Sequence, residues 1–149
     1  MKTARPAGPE IVSAGPGGFH FEWGGLSVYV DPSEAPRDRR PADVICLSRN
    51  DPAPAQRAAV EGLSRPTTVV AGSPACVGLF RLNQLPFAAA QKRSVLGVEM
   101  EAFADGRGGL GFLIVFGESR VVFKEGTWVD AGAVAGPDAA AAAGAGIKT

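Results

Sequence analysis

Few side chains in this sequence can do chemistry. There is one histidine, His20, and there are two cysteines, Cys46 and Cys76. A catalytic zinc needs about three protein ligands and an open position. A lone histidine cannot supply a histidine cluster, and two cysteines cannot build a Cys-rich zinc site or a disulfide scaffold. Cys76 falls in the first turn of an expected helix capped by Ser73, where a thiol pKa can drop. With His20 the only imidazole to serve as its base, a small buried core cysteine is the better fit, and Cys46 sits inside an apolar run. Glu99 and Glu101 share one side of an expected strand. That spacing suits paired-carboxylate acid–base work, but a solvated sheet face explains it as well. Arg37, Asp38, Arg39 and Arg40, together with Arg49 and Arg57, can rim an anion site; the plainer reading is a solvated loop. Gly15-Pro16-Gly17-Gly18 precedes a strand rather than a helix, so it reads as a turn and not as a phosphate loop.

The frame that must position these residues is small. The chain has 149 residues, 46% hydrophobic and 20% charged, with a formal net charge of zero. This is about one domain of globular composition. A balanced charge argues against a basic nucleic-acid module and a polybasic membrane anchor. No window reaches the ~20 apolar residues of a membrane-spanning helix, and no signal-peptide h-region follows the first residues. The expectation is a cytoplasmic protein with both thiols reduced. Residues 1–10 read as an arm, 11–130 as the domain, and the Ala/Gly-rich 131–149 as a tail or a short helix opened by Pro137-Asp138.

Within 11–130 the patterns alternate. Phe19, Phe21 and Trp23 share one face of a strand, with His20 and Glu22 on the other. His20 is therefore expected to be exposed or at a dimer seam. Gly24-Gly25 marks a hairpin into the strand 26–30, which Asp31-Pro32 ends. Residues 43–48 form a near-continuous apolar run, as in a strand buried on both faces. A helix over 55–63, a β-branched strand over 67–71 and a helix from Ser73-Pro74 to about 80 follow. Residues 81–92 are ambiguous. A strand over 94–103 and a hairpin over 110–123 complete a mixed α/β pattern with antiparallel ends.

The ordered pieces resemble the metallo-β-lactamase fold, in particular its small lactonase-like hydrolases. The family's Gly-rich turn and first strand look like Gly15-Pro16-Gly17-Gly18-Phe19-His20-Phe21-Glu22. Its strand ending in Asp-Pro looks like Leu26-Ser27-Val28-Tyr29-Val30-Asp31-Pro32. The strand that leads into its ligand run looks like Ala42-Asp43-Val44-Ile45-Cys46-Leu47-Ser48. Thr67-Thr68-Val69-Val70-Ala71 and the hairpin from Gly111-Phe112 to Gly126-Thr127 are similar to later pieces. The resemblance spans roughly residues 10–130.

It implies an αββα-type sandwich and a metal held by a His-x-His-x-Asp-His run. On those positions this chain carries Arg49, Asp51, Ala53 and Pro54. Arginine is a permanent cation without a lone pair to offer a metal, and alanine and proline have no side-chain donor. The family's bridging aspartate aligns near Thr127. The expectation is a domain without a metal or other cofactor, whose degenerate site consists of Arg49, Asp51, Asp31 and Thr127. Because few residues follow 130, a half sandwich is expected, its second sheet missing or much reduced. The exposed face is then covered by a second copy in a homodimer, or by a helix from the tail in a monomer. Two functions follow. One is a non-catalytic domain for self-association and for binding a partner or small anionic ligand. The other is a hydrolase of an ester, lactone or phosphoester with an altered site.

Overall fold

The computed structural model describes residues 10–34, 40–124 and 126–130. Two sheets face each other. The first has six strands: β1 (Val12–Ser13), β2 (Phe19–Trp23), β3 (Leu26–Val30), β4 (Val44–Cys46), β5 (Val69–Gly72) and β6 (Asn83–Pro86), in that spatial order. β1, β2 and β3 are antiparallel, whereas β3 to β6 run parallel. Parallel neighbours need crossovers; α1 (Pro54–Leu63) joins β4 to β5 and α2 (Pro74–Val77) joins β5 to β6. The second sheet is wholly antiparallel, ordered β11 (Thr127–Asp130), β10 (Ser119–Lys124), β9 (Leu110–Phe116), β8 (Val98–Ala104) and β7 (Lys92–Val95).

Two cores hold these layers together. Between the sheets, Phe21, Val28, Val30, Val44 and Cys46 meet Met100, Phe112, Ile114, Phe116 and Phe123. Phe21 packs edge-on to Phe116 at 4.7 Å between ring centroids. On the other side of the first sheet, Tyr29, Ile45, Leu47 and Val70 meet Val60 and Leu63 of α1 and Cys76 and Val77 of α2. β4 therefore sends Val44 and Cys46 into one core and Ile45 into the other, as its apolar run anticipates. The Ser73 hydroxyl accepts the Cys76 N–H at 3.2 Å and caps α2, although α2 ends at Val77 rather than near residue 80.

The structure corrects the expected missing sheet. The strand read over 94–103 is a hairpin, broken at Leu96 (φ 51°) and Gly97 (φ 87°). Two left-handed residues in succession make the tight turn that suits a two-residue hairpin. That hairpin, together with β11, widens the second sheet to five strands. The ambiguous stretch 81–92 contributes β6 to the first sheet. The sandwich interior is thus closed within one chain, with helices on one outer side. Among the described residues, no helix is long and apolar enough to cross a membrane. The tail expected over 131–149, most of the arm, and Arg37, Asp38 and Arg39 of the expected basic rim lie outside the described residues.

Candidate functional site

β3 and β4 end side by side, and the chain leaving each of them forms the site. Asp31 follows β3 in a left-handed conformation (φ 48°), one that aspartate tolerates better than most residues. It is 7% exposed. Its Oδ1 accepts the Ser48 backbone N–H at 2.8 Å and its Oδ2 accepts the Ser48 hydroxyl at 2.6 Å. Burial pushes the Asp31 carboxyl above its ordinary range; the two Ser48 bonds and the nearby Arg49 charge pull it back, and Asp105 adds to the rise.

The segment after Ser48 is pinned from the second sheet. The Ser48 carbonyl accepts the Leu110 N–H at 2.8 Å. Asn50 donates through Nδ2 to the Gly108 carbonyl at 2.8 Å. Asp105 Oδ1 accepts the N–H groups of Arg107 at 2.7 Å and Gly109 at 3.0 Å, folding the 105–109 loop. Neither Ser48 nor Asp105 stands out in the sequence as a site residue. The available signal was the pairing of a serine after one strand with an aspartate after its parallel neighbour, two positions where side chains converge.

Beyond this anchor, Arg49 and Asp51 are exposed and line an open groove of about 670 Å³ with Pro52, Pro54, Arg57 and Glu61. The N-terminal end of α1 opens here. Its first turn has no acidic residue, and its end carries the positive pole of the helix dipole. Gln56 reaches back to accept the Ala53 N–H at 3.2 Å. The structure thus brings Arg49, Asp51 and Arg57 into one groove and seats Asp31 beneath them as a support.

Other candidates fall elsewhere. Thr127 is exposed and gives its hydroxyl to the Lys124 carbonyl at 2.7 Å; it does not line the groove. Arg40 lies beside Glu22 at 3.4 Å and near Asp43 at 3.8 Å, with Arg65 on Asp43 at 2.7 Å, so it is not part of the basic rim. Burial works against the Asp43 carboxyl, but the Ser27 N–H and Arg65 hold it below its ordinary range. His20 is not exposed: it is 5% accessible, shares a 2.9 Å hydrogen bond with Ser27 Oγ and stacks on Tyr29 at 4.1 Å. Ser27 and Tyr29 of the neighbouring strand β3 hold the ring, which alternation along β2 alone does not reveal. Both cysteines are buried. Burial drives the Cys46 thiol above the usual range and the Cys76 thiol up to about 11, so neither is an activated nucleophile. Glu99 is exposed and Glu101 half-buried on the outer face of the second sheet.

The donor set does not fit a catalytic metal. Arg49, Ala53 and Pro54 offer no ligand atom, Asp31 is engaged by Ser48, and among the described residues no group of three His, Cys, Asp or Glu side chains could hold an ion.

No family model matches the chain, and none of the curated proteins matches it. Solved structures do. A protein from Parabacteroides distasonis assigned to the metal-dependent hydrolases aligns with a TM-score of 0.65 at 16% identity, over 77% of this chain and 59% of its own. Igni18, a metallo hydrolase from the archaeon Ignicoccus hospitalis, aligns at 0.57 and 9% identity, over 78% and 60%. CmlA, a diiron β-hydroxylase from Streptomyces venezuelae, aligns at 0.59 and 16% identity, over 81% of this chain and 30% of its own. The likeness is one of fold, and it supports the metallo-β-lactamase-like architecture. The chain spans less than two-thirds of each of these proteins.

Proposed function

We propose that this chain is a non-catalytic, metal-free binding domain built on the metallo-hydrolase fold, taking a small anionic or phosphate-bearing ligand in the groove of Arg49, Asp51 and Arg57. The observation that carries the reading is the groove itself. Where the fold's ligand run would place imidazoles, a guanidinium stands, and a second guanidinium from the first turns of α1 shares the same opening. Guanidinium groups pair with carboxylate and phosphate in a forked, charge-assisted geometry. The helix end adds to the same potential. Asp31 supports the groove from below through Ser48. Thr127 has no part in it.

Self-association was expected because a sheet was thought to be missing. With both sheets supplied by the chain, that motive weakens, and ligand binding becomes the leading half of the reading. The rival is a hydrolase of an ester, lactone or phosphoester with an altered site.

Calorimetric titration with inorganic phosphate tests the reading. The parent should bind, and the Arg49→Ala/Arg57→Ala double variant should bind at least ~10-fold more weakly, the loss of about 1.4 kcal/mol or more expected for charge-assisted hydrogen bonds. Stoichiometric zinc, iron or manganese in the purified protein, with ester or phosphoester turnover lost in Asp51→Ala, would instead establish the hydrolase.

A further inference from the structure

The groove beside α1 carries more charge than a simple anion needs. Arg49 and Asp51 enter it on the chain that leaves β4. Pro54, Arg57, Ala58 and Glu61 enter it from α1. Their spacing of three, one and three residues places them on one face of the helix. The lining therefore holds two guanidinium groups, Arg49 and Arg57, and two carboxylates, Asp51 and Glu61.

These charges do not neutralise one another in pairs. Among the described residues the ion pairs join His20, Glu22, Arg40, Asp43 and Arg65, and none of the groove's four charged side chains takes part. Arg57 precedes Glu61 by four residues, the less favourable order for a helical pair. All four side chains are exposed, so they are open to a ligand and belong to neither core. A bare anion seated between Arg49 and Arg57 also meets Asp51 and Glu61, and like charges repel it. Two carboxylates in an anion groove have a use only if the ligand carries a positive charge as well.

We infer that the ligand of this groove is a small zwitterion, a phosphate ester that also bears a protonated amine. Its phosphate takes Arg49 and Arg57 in charge-assisted pairs, and its ammonium takes Asp51 and Glu61. The scale fits. Arg57 and Glu61 are ~6 Å apart along the helix axis, a separation that suits an anion and a cation joined by a short carbon linker. Ala58, on the same helix face, gives that linker a small apolar surface. Specificity follows, because a phosphate ester without the amine leaves both carboxylates unpaired beside its own negative charge. The inference rests on the reading of the groove as an anion site and names the class of anion.

Calorimetric titration of the full chain at low ionic strength tests it, with 2-aminoethyl phosphate, propyl phosphate and inorganic phosphate as the probes. Propyl phosphate has a methyl group where the first compound has its ammonium. The expected result is binding of 2-aminoethyl phosphate at least ~3-fold tighter than propyl phosphate, the scale of exposed ion pairs. In Asp51→Asn/Glu61→Gln that preference should vanish, while inorganic phosphate binds more tightly than to the parent because two repelling charges are gone. Vesicles of phosphatidylethanolamine, titrated in the same way, distinguish the sources of this chemistry: a lipid headgroup if they bind, a free phosphorylated amine if they do not. Equal affinity of the parent for the two esters overturns the inference and leaves the anion reading standing. A preference that survives in the double variant, or a double variant that loses all three probes, also overturns it. A parent that binds none of them overturns the inference and the anion reading together.

Discussion

Ser48→Ala probes the anchor beneath the groove. The substitution deletes one atom, the hydroxyl that donates to Asp31 Oδ2 at 2.6 Å, and leaves the Ser48 backbone bond to Oδ1 at 2.8 Å in place. A hydrogen bond to an ionised group contributes about 1.5–3 kcal/mol, and a buried acceptor left short of partners costs a similar amount. Asp31 is 7% exposed, so water can replace the hydroxyl only in part. Where Asp31 is ionised, the expected loss is therefore ~2 kcal/mol, from urea unfolding followed by the fluorescence of Trp23 and Trp128, with an unchanged m-value.

The pH dependence makes the prediction sharper. Burial raises the folded pKa of Asp31 above its ordinary value, and the Ser48 hydroxyl opposes that rise. Its removal raises the folded pKa further. A carboxyl with a raised folded pKa stabilises the fold relative to neutral pH only while it is protonated, and that contribution is lost as pH climbs through the folded pKa. The cost of Ser48→Ala should thus be small in acid, grow as pH rises through the folded pKa of Asp31, and level off above it. A loss that does not grow as pH rises would refute the role assigned to this pair.

Other outcomes follow from the same geometry. Gly109→Ala should cost about 1–3 kcal/mol in urea unfolding, because its Cβ would overlap the Ser48 carbonyl oxygen and lie 3.0 Å from Asp105 Oδ2. Asp43→Asn should remove stability at neutral pH but not in strong acid. The carboxyl of Asp43 is held below its ordinary range by Ser27 N–H and Arg65, so its contribution is present above the unfolded pKa and lost as pH falls through the folded one; unfolding curves at pH 7 and pH 2.5 check this. Cys76, with its thiol pushed up to about 11, should resist iodoacetamide at pH 7.5 under native conditions and react fully in denaturant, as mass spectrometry would show. Phe116→Ala should cost about 3–5 kcal/mol, since Phe116 is 1% exposed and packs against both Phe21 and Trp23.

Much of the fold was legible because its signals are local. The unbroken apolar run through Val44, Ile45 and Cys46 marks a strand buried on both faces, and Ser73-Pro74 marks a helix start. The Leu96-Gly97 turn was not legible. Leucine gives no turn signal, and only its forced left-handed φ, held by the pairing of Val95 with Val98, breaks the strand. His20 was misplaced for a related reason. Alternation identifies two faces of a strand but cannot say whether the second is wet, and here Ser27 and Tyr29 of β3 engage the ring. Of the candidate site residues, Arg49 and Asp51 line one groove, Asp31 is buried and held by Ser48, and Thr127 bonds to the Lys124 carbonyl; side-chain convergence of this kind depends on strand pairing, which residue types alone do not reveal.

The surviving and missing parts of the resemblance divide along a physical line. Asp31, Ser48 and the close packing of Gly18 against the Asp31 carbonyl each have a partner within this chain. They close hydrogen bonds at the ends of two parallel strands, and the fold needs them whether or not an ion is present. Imidazoles at 49, 51, 53 and 54 would have no such partner: those positions face an open groove, where histidine contributes nothing to folding without a metal to hold. The frame is therefore held by contacts that do not depend on which side chains line the groove. The frame then fixes where new side chains point. Arg49 stands in the groove because Ser48 is held from both sides, by Asp31 in the first sheet and by Leu110 in the second. If the groove takes phosphate as proposed, loosening that mount with Ser48→Ala should weaken phosphate binding even though residue 48 does not line the groove.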